Sequence, residues 1–499
     1  MGQTLFQTLL HRVRHLTSRH PSPNYELEPL FSSTDSLPSS SNAASRPKHT
    51  SSSSLPRRLL RLLTLRRVFL SIFGAFVLFV VSVLLWGGIP PSYSDIRAYE
   101  KALPQHNLSL PSPEGAHGLF LRFPDHLWGH GLNNVLQEIL LQSQLAHTAG
   151  RAYVFEDYTW SHLPFPWTLY DYALRPARLP LNAFISGPSA GAPMPAPRSV
   201  SAAFWEEVCG KKARRRAGGA SNATQVVTLT TEGVPEDAEG DVLMQWWVDK
   251  LKTVGNSTCV QVVQGDLPAF DQNLFGSTRV LSLWPALSAS PILANFTWSP
   301  LVHAAVTRNF ALLRPPSPAQ LVSPGSPPLP GLVAVHLRRG DFVRHCPRLY
   351  GWDAPYMGFN RFAALPAADA FDPPPKSQPD ARRAYYMEHC FPERAQIVHR
   401  LAEVREDNPG LRRVYLLTNG WGTWVQGVRD ALMGDGWEDV RSGQELVLDE
   451  EQNYVAMAVD MAIAERAEVF VGNGFSSLSA NIVMFRMAKG LEPASNRIL

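Results

Sequence analysis

The chain has 499 residues, 45% of them hydrophobic, and its 46 Lys and Arg against 43 Asp and Glu leave a formal charge of +3. That length accommodates roughly two to four domains of ordinary size. The weak charge excludes a dedicated nucleic-acid binder, which would carry a strongly basic domain.

Residues 1–67 come first. Ser18 to Ser54 is rich in Ser and Pro and poor in large apolar residues. It cannot bury enough surface to fold, so 1–67 reads as a disordered basic tail. Met1-Gly2 is followed by Phe6 where an N-myristoylation motif needs Ser or Thr, so that motif fails. Val68 to Ile89, VFLSIFGAFVLFVVSVLLWGGI, then runs 22 residues without a charge. About 20 apolar residues suffice to cross a bilayer as a helix. Arg57, Arg58, Arg61, Arg66 and Arg67 precede it, whereas Arg97 and Lys101 beyond it are balanced by Asp95 and Glu100. The basic flank sets the N-terminus in the cytosol. The length of the apolar run and its distance from residue 1 fit a signal anchor rather than a cleaved signal peptide.

Sequons at Asn107, Asn222, Asn256 and Asn295 all follow the apolar segment, as do all four cysteines. Four cysteines in an oxidising compartment permit three connectivities. Cys209–Cys259 with Cys346–Cys390 keeps each pair within one expected domain; four buried thiols are the alternative.

Residues 90–117 read as a short Pro-containing stem. GLFLRF (Gly118–Phe123) predicts a strand, NNVLQEILLQSQLAHTAG (Asn133–Gly150) an amphipathic helix, and RAYVFED (Arg151–Asp157) a second strand. Such a βαβ unit implies a parallel sheet. Residues 160–310 give few signals; KKARRR (Lys211–Arg216) reads as a solvated loop, with a processing site or anion patch as alternatives. Pro315 to Pro330 holds seven prolines in 16 residues and reads as a linker. Beyond it GLVAVHL, RVYLLTN and EVFVGN predict strands, and Glu450–Ala467 and Ser476–Gly490 predict helices. The expectation is two α/β domains, 118–314 and 331–499, joined by linker 315–330, with ligands beyond the carboxyl ends of the strands.

Three patches carry candidate chemistry. In VAVHLRRGDF (Val333–Phe342) a buried strand ends on two arginines. Consecutive strand residues point to opposite faces. One arginine is therefore placed at the crevice, where its planar fork suits phosphate, and the other pairs inward, with Asp341, at the turn that Gly340 permits. An ion pair closing the strand end explains the same residues. In VFVGNGFSS a strand runs into a helix opening with Ser476-Ser477; free N–H groups and the dipole there suit phosphate. The GKS/T ending of a P-loop is missing, and an ordinary serine N-cap is the other reading. In WGHGLNNVLQE (Trp128–Glu138) a Gly-rich turn precedes the first helix. Asn133 suits a cap or a hydroxyl-bearing substrate. His130, the nearest titratable group, has a pKa range suited to base work, or is an incidental loop histidine. No DxD occurs, so charge on a departing diphosphate falls to Arg and backbone N–H groups.

In this order the patches resemble the GDP-fucose protein O-fucosyltransferase superfamily. Its HxRRGD-like strand end matches His336 to Asp341, its GxxNQ-type turn is similar to Gly131 to Asn134, and its C-terminal pattern looks like Asp460 to Ala467, Phe470 to Asn473 and Ser476-Ser477. The resemblance implies a GT-B-like α/β fold, two Rossmann-like domains facing a cleft. It implies an inverting, metal-independent transfer of fucose from GDP-fucose to a glycan or protein hydroxyl. No cofactor beyond that donor is implied, and the setting is a type II protein of the Golgi or ER membrane. By carry-over Arg338 holds the diphosphate, His336 and Asp460 contact the nucleoside, Ser476 and Ser477 bind phosphate oxygens, and Asn473 joins that set. Asn133 positions acceptor or fucose. Two departures stand out: His130 where one branch has a glutamate base, and Thr418-Asn419 where many members have Thr-Asp. The same fold with another nucleotide-sugar, or an inactive membrane-anchored glycan-binding or scaffold protein, are the alternatives.

Overall fold

The computed structural model describes residues 65–124, 131–170, 173–210, 225–263, 268–315, 317 and 325–499. The tail before residue 65, His130, Asn222 and Lys211–Arg216 lie outside the described residues. Asn107, Asn256 and Asn295 are exposed.

The uncharged run forms helix α1, Leu65–Gly87. Among the described residues it is the one helix long and apolar enough to cross a membrane. Val68, Phe69, Leu70, Ile72, Phe73, Phe76 and Leu78 are all exposed. Within one compact unit, residues 65–92 are grouped with 160–170 and 173–178. The latter form a hairpin in which Trp167–Tyr170 pairs antiparallel with Ala173–Pro176.

The other unit takes residues 93–159 and 179–499 and contains two parallel five-stranded sheets. In the first, β1 (Phe120–Arg122), β2 (Ala152–Phe155), β3 (Val200–Ser201), β4 (Val226–Thr230) and β5 (Cys259–Val263) lie in the order β3-β2-β1-β5-β4. Helix α2, Leu132–Thr148, connects β1 to β2 and completes the expected βαβ unit. Its polar side does not face water: Asn133, Gln137, Glu138 and Ser143 are buried with the apolar residues. Helix α3 (Ala202–Val208) ends at Cys209, which is disulfide-bonded to Cys259 at the start of β5.

In the second sheet, β6 (Leu329–Leu337), β7 (Arg413–Thr418), β8 (Asp439–Ser442), β9 (Ala467–Gly472) and β10 (Asn496–Ile498) lie in the order β8-β7-β6-β9-β10. Counted along the chain this is 3-2-1-4-5, a doubly wound sheet whose order reverses between β6 and β9. Strands covered on both faces read as continuous apolar runs. Val333, Val335, Leu337, Val414, Leu416, Val469 and Val471 accordingly form one core. The helices around this sheet are α4 (Phe342–Gly351), α5 (Pro379–Cys390), α6 (Arg394–Asp407), α7 (Gly422–Gly434), α8 (Ala456–Arg466) and α9 (Ser477–Ala488). The Cys346–Cys390 disulfide joins α4 to α5, so the expected pairing is the one present.

Two boundaries differ from expectation. Strand β6 begins at Leu329, inside the Pro-rich run, and Pro330 is one of its residues. The register against β9 shifts between Leu329 and Val333, and Gly331 has φ 72°. A bulge of this kind accommodates a residue with no N–H to donate. The helix expected over 450–467 is divided into Glu450–Asn453 and α8.

Candidate functional site

The sequence VAVHLRRGDF reaches the carboxyl end of β6 at the point where the sheet reverses. Val335 pairs with Val471 of β9, so the two strands end side by side. His336 is fully buried, with Nδ1 2.8 Å from the Ser479 hydroxyl. Burial, then the charge of Arg338, pushes its imidazole down to about 3, so it is neutral at physiological pH. Arg338 follows at 2% exposure and donates to Asp341 Oδ2 at 3.0 Å. Its guanidinium lies 5.1 Å from the Phe342 ring centre.

Arg339 points the other way, as strand alternation requires. Its guanidinium is held between Phe391 at 4.0 Å and Trp424 at 4.1 Å, and it donates to the Pro392 carbonyl at 2.6 Å. Burial lowers this guanidinium to about 10. Arg339 is therefore held between two rings, and the ion pair to Asp341 expected of the inward arginine belongs to Arg338. Asn419 completes the turn. Its Oδ1 accepts the Arg339 N–H at 2.6 Å and its Nδ2 donates to Asp341 Oδ1 at 3.3 Å. Gly340 between them has φ 55°, and a Cβ there would stand 2.9 Å from Asn419 Nδ2. Conformation and space both demand glycine.

At the end of β9, Gly474 lies against the Tyr356 ring, where a Cβ would come within 2.4 Å. This glycine thus serves packing inside the protein rather than approach of a ligand. Asn360 Nδ2 donates to the Gly474 carbonyl at 2.9 Å. The Asn473 side chain donates to the Cys390 carbonyl at 2.8 Å and accepts the Phe475 N–H at 3.1 Å, so both its polar ends hold the loop. Ser476 is the N-cap of α9, its Oγ accepting the Leu478 N–H at 3.3 Å. The Ser479 hydroxyl accepts the Asn473 N–H at 2.9 Å and so links this loop to His336.

Asn133, in the first turn of α2, reaches the same helices. Its Oδ1 and its carbonyl oxygen each accept from Asn481 Nδ2 at 3.0 Å, and its Nδ2 donates to Met457 Sδ at 3.2 Å. Asp460 sits three residues after Met457 on α8. Its fully buried carboxyl accepts the Tyr415 hydroxyl at 2.5 Å and lies against Gly443, and burial raises it well above the usual carboxylate range.

Seven of the eight candidates are thus described, and the fold gathers all seven around α8, α9 and the ends of β6 and β9. None exceeds 5% exposure. The eighth, His130, lies outside the described residues. Four residues with a part in the assembly escaped the sequence: Ser479, Asn481, Asn360 and Tyr415. Asn481 left a trace, an amide in the apolar run ANIVMF that must find a partner if buried. Arg361, next to Asn360, is half-buried with no ion pair or hydrogen bond among the described residues, and burial lowers its guanidinium.

Chemically, the turn brings two buried cations together, Arg338 paired with Asp341 and Arg339 under the charge of Glu393. The positive end of α9 opens at the same strand ends. A buried guanidinium beside a helix N-terminus suits an anion.

Residues 311–489 match the family model of GDP-fucose protein O-fucosyltransferase. The match covers β6 to α9 and includes every candidate except His130 and Asn133. Among solved structures, the chain is similar to POFUT1 in complex with GDP-fucose, at 15% identity and TM-score 0.46 over 77% of this chain and 98% of that one. A variant of Arabidopsis thaliana FUT1 in complex with GDP has 11% identity and TM-score 0.33, over 81% and 78% of the two chains. NodZ alpha-1,6-fucosyltransferase soaked with GDP-fucose has 11% identity and TM-score 0.33, over 73% and 92%. A search of curated proteins finds no match.

Proposed function

We propose that this chain is a member of the GDP-fucose protein O-fucosyltransferase superfamily that transfers fucose from GDP-fucose to a hydroxyl of a glycan or protein, with inversion and without a metal ion. The observation that carries the reading is Arg338. It is a buried guanidinium at the reversal point of a doubly wound sheet, beside the serine-capped start of α9. In this reading Arg338 pairs with the diphosphate and stabilises its negative charge as the sugar–oxygen bond breaks. Ser476 and Ser477, which keep a little surface, contact phosphate oxygens. His336, Asp460 and Asn473 lie deeper and shape the nucleoside end. His130 is the base that takes the acceptor proton, and Asn133 places the acceptor or fucose. Residues 118–314 form the acceptor-side domain and 331–499 the donor domain, joined by 315–330.

The membrane part of the reading rests on α1, whose described large apolar side chains are all exposed except Val83. A soluble helix hides such a surface. With its basic flank on the N-terminal side, α1 anchors a type II protein of the Golgi or ER membrane, and residues 90–499 are lumenal. Two disulfides and three exposed sequon asparagines fit that compartment.

The test is calorimetry of the full chain in detergent with GDP, with and without a chelator, followed by hydrolysis of a panel of GDP-sugars. Binding that survives the chelator, with GDP-fucose hydrolysed fastest, is expected. Strict dependence on a divalent ion, or preference for another sugar, overturns the donor or mechanism. Binding without turnover of any donor identifies a glycan-binding or scaffold protein.

A further inference from the structure

The hairpin grouped with α1 presents an unusual face. Leu163, Phe165, Trp167 and Leu169, spaced two residues apart, are 58%, 64%, 43% and 47% exposed. Trp167 and Leu169 lie in the strand and share one of its faces, and Leu163 and Phe165 precede it in the bends that lead in. Across the pair, Trp167 faces the buried Pro176 and Leu169 faces the half-buried Leu174. On the opposite face the pair is Thr168 with Arg175, and there Ala173 meets α1: a Cβ on Gly87 would come 2.8 Å from the Ala173 Cβ. One turn earlier Val83 is buried, alone among the large apolar side chains described in α1. The last turn of α1 therefore lies against the polar face of the hairpin, and the apolar face is turned away.

We propose that residues 160–170 and 173–178 dip into the lumenal surface of the bilayer, with the side chains of Leu163, Phe165, Trp167 and Leu169 at the boundary between headgroups and acyl chains. The proposal rests on α1 spanning the membrane. Gly87 falls within the uncharged run Val68–Ile89, so an element packed against it lies at the depth where that run meets the interface. A Trp in this position matches the interfacial preference of indole, whose ring is apolar and whose N–H stays wet. The hairpin needs no full burial, since water at the interface satisfies its open backbone edges. Four exposed apolar side chains within the stretch 163–169 otherwise form the sort of patch that soluble proteins rarely leave bare. The occupant is lipid because the patch belongs to the same unit as the anchor, next to the end of its uncharged run.

The experiment uses the full chain reconstituted in phosphatidylcholine vesicles. All four native cysteines are in disulfides, so an introduced cysteine takes a spin label alone. Labels are placed by Phe165→Cys, by Leu78→Cys in the middle of α1, and by Glu388→Cys on the exposed side of α5. Relaxation by oxygen, which partitions into lipid, is compared with relaxation by a water-soluble nickel chelate. The Phe165→Cys label is expected to favour oxygen over nickel at least about threefold more than the Glu388→Cys label does, between it and the Leu78→Cys label. Nickel access equal to that at 388 overturns the proposal, as does a label shielded from both reagents, which signals a protein partner. A water-accessible Leu78→Cys label instead refutes the anchor, and the interfacial hairpin falls with it.

Discussion

The two sheets share a design. The central strand of each, β1 and β6, leads into an arginine at its carboxyl end: Arg122 in the first, Arg338 in the second. Their surroundings differ. Arg122 donates to Glu156 at 2.6 Å and to Glu206 at 3.3 Å, and stands over the Trp205 ring at 5.9 Å. Two carboxylates thus answer one cation. Arg338 donates to Asp341, one of whose oxygens Asn419 also takes, while Arg339 donates to the Pro392 carbonyl and feels the charge of Glu393. An arginine at a strand end is therefore not in itself an anion site. What sets Arg338 apart is its place at the reversal point of the sheet, beside the serine-capped start of α9.

The sharpest way to break this contrast is Arg338→Ala. Charge-assisted hydrogen bonds to a buried group contribute about 1.5–3 kcal/mol, so GDP affinity is expected to fall about 10- to 100-fold in calorimetry, with fucose transfer lost. Unchanged affinity removes Arg338 from the donor site. A smaller effect is expected from Asn419→Asp, which exchanges the donor facing Asp341 for a second carboxylate. The loss of one hydrogen bond, about 0.5–1.5 kcal/mol, lowers GDP affinity about 3- to 10-fold near pH 7.5. Two facing carboxyls share a proton more readily as pH falls, because repulsion raises one of their pKa values. The deficit relative to the native chain is therefore expected to shrink near pH 5.5. The charged or titratable neighbours there are Arg338, Arg339, His345 on α4, and Glu393, whose charge acts on Arg339. A deficit that does not change with pH shows that the amide acts only through shape. The smallest effect belongs to Arg122→Ala. Its ion pairs are partly exposed and contribute about 1 kcal/mol or less. Thermal unfolding should move by a few degrees at most, and GDP affinity should stay at the native value; a loss of affinity there erases the distinction between the two arginines.

The second sheet was far more legible than the first. Strands buried on both faces must be apolar throughout, so VAVHL, VYLL and VFV announce themselves. In the first sheet β3, β4 and β5 have only two to five residues each, embedded in polar sequence, and residues 160–310 gave no strand at all. The Asn133 turn was visible as a motif, but its partner Asn481 lies 348 residues away. Likewise the polar side of α2 resembled a solvent face, because nothing local reveals that other helices cover it.

By itself the sequence determined the apolar helix, the strands of the second sheet, the arginine pair at the end of β6 and the serine-capped start of α9. Each is set by local periodicity and composition, which act over a few residues. Tertiary structure decided which arginine meets Asp341 and which is clasped by rings, which of three cysteine pairings forms, and why Gly474 must be glycine. It also gathered two carboxylates around Arg122 and set Arg338 beside Asp341 at the start of α9. Those outcomes depend on charges and surfaces that distant segments bring together, and only the folded chain sums them.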